Sequence, residues 1–86
     1  MNNNELNEIL FMQTVYQNQQ LAFMGMGKIK NPVSDKIEVN LEQAKLAIDI
    51  LDMLIIKTKG NLNEREEKFI LEVVRDLKLN YVNENK

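Results

Sequence analysis

The chain of 86 residues contains no cysteine, no histidine and no tryptophan. Without cysteine there is no disulfide and no thiolate nucleophile, and without either Cys or His there is no ordinary zinc site. The missing histidine also removes the commonest acid–base group near neutral pH, and with it the Glu-x-x-His pairs of di-iron bundles. Long apolar runs are absent too. The longest unbroken ones reach about four residues, far below the ~20 needed to span a bilayer. Excess charge of either sign is lacking, with eleven Lys+Arg against thirteen Asp+Glu and a net of −2. That balance gives no general attraction to nucleic acid or to an anionic membrane. The opening Met1–Glu5 has neither the basic segment nor the apolar stretch of a signal peptide, so a cytoplasmic location is expected.

What is present reads as a single helical domain over residues 1–86. A domain this small buries only somewhat more than ~60% of its unfolded surface, and it has no covalent or metal staple. Its stability has to come from helix packing, from association, or from both. Helix 1 is expected over about 5–26, with Asn4 as cap, Glu5 and Glu8 near the positive helix end, and Gly25 and Gly27 supplying positive φ at its close. Residues 27–39 form a loop containing Pro32 and the turn-like Val33-Ser34-Asp35. A strand at Lys36–Val39 would have no partner. A connection this long is unusual in a bundle. Helix 2 spans about 41–58. Asn40 and Gln43 approximate a capping box at its start, while Lys57, Lys59 and Gly60 mark its end. Helix 3 spans about 64–82, opened by the capping pair Asn63 and Glu66, and a polar tail at 83–86 is expected to fray. The short connection between helices 2 and 3 makes them a tight antiparallel hairpin.

Stepping ~100° per residue sorts the helices into faces. Helix 3 shows one apolar stripe, Phe69, Ile70, Val73, Val74, Leu77 and Tyr81, with Arg65, Lys68, Glu72, Arg75 and Asp76 opposite. Helix 2 shows a core face of Leu41, Ala44, Ala47, Ile48, Leu51, Leu54 and Ile55, and a second stripe of Leu46, Ile50 and Met53. Helix 1 repeats this pattern. Ile9, Phe11, Met12, Val15, Tyr16, Ala22, Phe23 and Met26 face the core, and Leu6, Leu10, Leu21 and Met24 lie nearly opposite. A monomeric three-helix bundle buries only one face of each helix. Burying seven further Leu, Ile or Met side chains offers on the order of 10–20 kcal/mol gross, against an estimated ~4–15 kcal/mol for association. The second stripes are therefore the candidate interface of a homodimer or larger oligomer. Gln19 falls in the core face of helix 1, either as a buried amide that fixes register or as a wet residue beyond the core.

Candidate chemistry is thin. Ser34 is the only serine and sits in the loop without a base fixed by sequence. Asp49 and Asp52 share a helix face, where solvation and a Lys45–Asp49 pair explain them better than acid–base work. No EF-hand spacing occurs, and no metal or other cofactor is expected. Lys57–Leu62 lacks the glycine spacing of a P-loop, and Glu64, Glu66 and Glu67 would repel phosphate at the next helix. The same glutamates oppose a helix-turn-helix reading.

The aromatic–aliphatic first helix ending near Met24-Gly25, the stretches Leu41–Lys45 and Ile48–Leu51, and then Leu54, Lys57-Thr58-Lys59-Gly60-Asn61-Leu62, Glu66 and the closing Tyr81-Val82 together form a pattern. In it the chain resembles the bacterial family called domain of unknown function 1844, over about Phe11 to Val82. The Lys57–Leu62 stretch is its most specific part. The resemblance implies a small helical cytoplasmic bacterial protein, and it carries over no functional residues. The expectation is an all-α, non-enzymatic module that associates with itself and docks a further protein. A nucleic-acid regulator using Lys28, Lys30, Lys57 and Lys59, and a binder of a small apolar ligand between helices, are the alternatives.

Overall fold

The computed structural model describes residues 1–84 and forms three α-helices, α1 (Asn3–Gly25), α2 (Leu41–Lys57) and α3 (Glu64–Glu84). Among the described residues there is no strand, only an isolated antiparallel bridge between Asn31 and Lys36. The all-α expectation holds, and the departures from it are local.

Asn4 does not cap α1; it lies inside the helix. Asn2 caps instead, with an extended backbone and a side-chain oxygen that accepts the Glu5 N–H at 2.8 Å. This earlier start puts Glu5 at the third helical position. There its carboxylate accepts from the Asn2 amide at 3.1 Å and faces the positive helix end.

At the other end of α1 the two glycines divide the work. Gly27 takes a left-handed φ of +78°. Gly25 does not; it closes the helix, and its lack of a side chain serves a close approach. A Cβ there would lie 2.6 Å from the Asn40 carbonyl oxygen and 2.8 Å from the Ala44 nitrogen. The backbone start of α2 thus packs directly on the end of α1. The Asn40 N–H donates to the Gly25 carbonyl at 2.7 Å, and Gln43 Nε2 donates to the Leu21 carbonyl at 3.2 Å. Gln43 is therefore turned toward α1 and does not complete the expected capping box. Only the half in which Asn40 Oδ1 accepts the Gln43 N–H, at 3.1 Å, is made.

The α2–α3 hairpin follows its sequence signals closely. Thr58 ends α2 by donating its N–H to the Leu54 carbonyl at 2.9 Å, and Gly60 turns the chain at φ +84°. Asn63 and Glu66 then form a reciprocal capping box. Glu66 N–H donates to Asn63 Oδ1, and Asn63 N–H donates to Glu66 Oε1, both at 2.8 Å. α3 runs two residues past its expected end, so Asn83 and Glu84 are helical, and Glu84 meets Lys28 at 2.6 Å. The frayed-tail expectation for Asn85 and Lys86 lies outside the described residues.

The core comprises Val15 and Ala22 of α1 with Met26 just past its end, Ala44, Ala47, Ile48 and Leu51 of α2, and Ile70, Val73, Val74 and Leu77 of α3. Phe11, Phe23, Leu41, Leu54, Ile55, Phe69 and Tyr81 pack partly against it. Two residues assigned to the α1 core face are in water instead, Ile9 and Tyr16. The buried amide is Asn18 and not Gln19, which is half-buried. Asn18 keeps its Nδ2 satisfied on the Thr14 carbonyl at 3.0 Å, within its own helix. α3 is also less simple than one stripe, because Leu71, Leu79 and Val82 are exposed while the capping carboxylate of Glu66 is buried.

Candidate interaction surface

Five of the seven residues expected on the second stripes are exposed: Leu6, Leu10, Leu21, Leu46 and Met53. Met24 and Ile50 are half-buried, which places them at the margin of the surface and not at its centre. Period and contact together fix how the two stripes relate. Gln43, Leu46, Ile50 and Met53 recur at i, i+3, i+7 and i+10, so they run along one face of α2. Leu10, Gln17 and Leu21 share one face of α1 by the same count. The Gln43–Leu21 hydrogen bond at 3.2 Å joins these two faces along a seam. At this point the two stripes lie on either side of the α1–α2 contact.

Residues Ile9 to Gly27 contain no Asp, Glu, Lys or Arg, so the outer face of α1 mixes leucine with Gln13, Thr14 and Gln17 and carries no charge beyond Glu8. A solvated helix face of this length ordinarily carries charged side chains, whereas the centre of a protein interface is depleted in them. This uncharged run is visible in the sequence itself and is a simpler signal than the stripes.

Charged contacts pin the edges. Glu8 receives Arg65 Nε at 2.8 Å, Arg65 Nη2 at 3.4 Å and Asn63 Nδ2 at 3.1 Å, which ties the start of α1 to the start of α3. The Arg65 hydrogen bond, helped by that of Asn63, holds the Glu8 carboxyl below its ordinary pKa of 4.5. Because the folded value is depressed, this contribution to stability is present above the unfolded value and is lost as pH falls through the folded one. Arg65→Ala should accordingly lower the melting temperature at neutral pH. Its deficit against wild type should shrink as the pH is taken below 4.5, as thermal melts followed by circular dichroism would show. Lys45–Asp49 pairs as expected at 2.8 Å, and Asp52 pairs with Lys78 at 3.0 Å.

The remaining sequence candidates fall elsewhere. Lys57 and Lys59 are exposed at the hairpin end, beside Gly60 and the Asn63–Glu66 box. Lys28 and Lys30 lie past the other end of α2, a helix of 17 residues and roughly 25 Å. The four lysines do not form one patch, and Lys28 is engaged by Glu84. An apolar cavity of about 370 Å³ opens at the α2–α3 turn between Ile55, Ile56, Leu62, Ile70 and Leu71, with Lys59 at its edge. Among the described residues no group of three acidic side chains is placed to hold a metal ion, and no helix is long and apolar enough to cross a membrane.

The profile of the family described as domain of unknown function (DUF1844) matches residues 8–83. The chain belongs to that family. Most of what has been described lies within the matched span, from Glu8 through the Lys57–Leu62 turn to Asn83. Neither the curated proteins nor the solved structures provide a match.

Proposed function

We propose that this DUF1844 chain is a non-enzymatic interaction module whose first partner is a second copy of itself, bound through the seam between α1 and α2. The observation that carries this reading is the uncharged outer face of α1, lying beside the exposed Leu46 and Met53 of α2. Surface area supports it. The chain exposes 6149 Å², about 900 Å² more than the ~5,300 Å² expected of a monomer of its mass. A standard interface takes ~800 Å² from each partner. Shape agrees, since a radius of gyration of 13.8 Å exceeds the ~12 Å of a compact domain of this length. The molecule is also flattened, with principal extents of 39, 26 and 16 Å.

Light scattering on a size-exclusion column tests the reading. The wild-type chain is expected at twice its 10.1 kDa mass or more. Leu10→Glu with Leu21→Glu puts two charges into the centre of the face, where an unpaired buried charge is strongly unfavourable, and should abolish association through this face and lower the scattered mass while the chain stays folded. A wild-type species of 10.1 kDa at tens of micromolar would remove the proposal.

A further inference from the structure

The loop between α1 and α2 ends in an extended segment, Lys36–Val39, with an open backbone edge. Ile37 Cγ2 and Val39 Cγ2 lie 3.6 Å and 2.9 Å from where a Cβ on Gly27 would stand, so alternate side chains point the same way, as they do in an extended strand. The segment is held in place. Asn31 N–H donates to the Lys36 carbonyl at 2.8 Å, Asp35 N–H donates to the Asn31 carbonyl at 2.7 Å, and Asn31 Oδ1 accepts the Val33 N–H at 2.9 Å. Lys36 thus turns its carbonyl inward to Asn31. By the alternation of a strand, Ile37 and Val39 turn their N–H and C=O groups outward. Among the described residues neither amide donates to any backbone carbonyl, and the two residues are 51% and 67% exposed.

Edge strands are normally protected by charge and by brevity. Here the charges themselves favour one pairing. In an antiparallel pair centred on Ile37, each Ile37 exchanges N–H and C=O with its counterpart. Lys36 then stands opposite Glu38 of the other strand, on both sides of the centre. These flanking positions are the closely spaced ones, where opposite charges attract most and like charges repel most. Shifting the register by two residues would bring Glu38 against Glu38. We infer that Lys36-Ile37-Glu38 is a self-complementary edge through which two copies of this chain join, Ile37 to Ile37 and Lys36 to Glu38. This contact does not depend on the α1–α2 face. If both form, dimers made on one surface are linked through the other.

Residue-resolved amide exchange by NMR tests the edge. In the wild-type chain, exchange at Ile37 should slow as protein concentration is raised. Lys36→Glu converts both charge pairs to like pairs and should weaken this association by on the order of tenfold. The swap Lys36→Glu with Glu38→Lys restores opposite charges and should restore the protection, which a purely internal role for either side chain would not do. The same concentration dependence should persist in the Leu10→Glu, Leu21→Glu chain, where the α1–α2 face is disabled, so failure of one contact is separable from failure of the other. Exchange at Ile37 that ignores concentration, or a charge swap that fails to restore protection, overturns the inference.

Discussion

Replacing Gly25 by alanine will destabilise the protein by about 3 kcal/mol and lower its melting temperature by roughly 10–25 °C. The sign is the informative part. Gly25 is the last residue of a helix, and at a helical site without neighbours alanine is the better residue by up to about 1 kcal/mol. A stabilised variant would therefore mean that the α1–α2 contact is looser than the structure shows. A clash is expected because the obstacles are backbone atoms. The Asn40 oxygen at 2.6 Å and the Ala44 nitrogen at 2.8 Å cannot rotate away as a side chain could. Relief requires α2 to slide from α1, and that strains the Asn40–Gly25 and Gln43–Leu21 hydrogen bonds together. Gly60→Ala provides the contrast. No atom lies within 4 Å of its added Cβ, so only the cost of holding alanine at φ +84° remains, about 1–2 kcal/mol. Circular-dichroism melts of the two variants, side by side, check the ranking.

That Gly25 terminates α1 is legible in the sequence; why it is glycine is not. The reason lies in the backbone of Asn40 and Ala44, and no local rule connects positions so far apart in the chain. The same distinction runs through the molecule. The Asn63–Glu66 box, the Gly60 turn and the buried stripe of α3 depend on neighbours within one or two turns, and sequence spacing finds them. The Glu8–Arg65 pair spans 57 positions and has no local signature. Three consecutive asparagines at the start give equivalent caps, and spacing alone cannot choose Asn2 over Asn4. α1 is the hardest case, because apolar residues surround it and its periodicity fixes the phase of the core face only loosely. That looseness explains why spacing leaves Gln19 open between buried and wet while the buried amide is Asn18, and why it sets Ile9 and Tyr16 on the core face when both are exposed. The proposed interaction surface is half-buried at its margins, Met24 and Ile50, and exposed on α1 at Leu10 and Leu21. There the absence of charge from Ile9 to Gly27 is independent of phase.

Leu51→Ala will bring the fold close to its limit, and the way it does so bears on association. Leu51 is fully buried in the core with Val15 of α1 and Ile70 and Leu77 of α3. Truncating such a leucine costs about 2–5 kcal/mol through lost transfer energy and the cavity left behind. A chain of this length has roughly 4–13 kcal/mol in total, so a large part of the margin goes with one side chain. Small core residues already line this region, with Ala22, Ala44 and Ala47 among them. If two copies meet across the α1–α2 face, folding and association are linked, and raising the protein concentration favours the folded dimer over unfolded monomers. The melting temperature of Leu51→Ala should therefore climb with concentration. The same substitution made in the Leu10→Glu, Leu21→Glu chain should melt at one temperature throughout, apart from whatever the Ile37 edge restores. A melting temperature of Leu51→Ala that is flat across the whole concentration range would count against a dimer coupled to folding, even if the core cost is as large as expected.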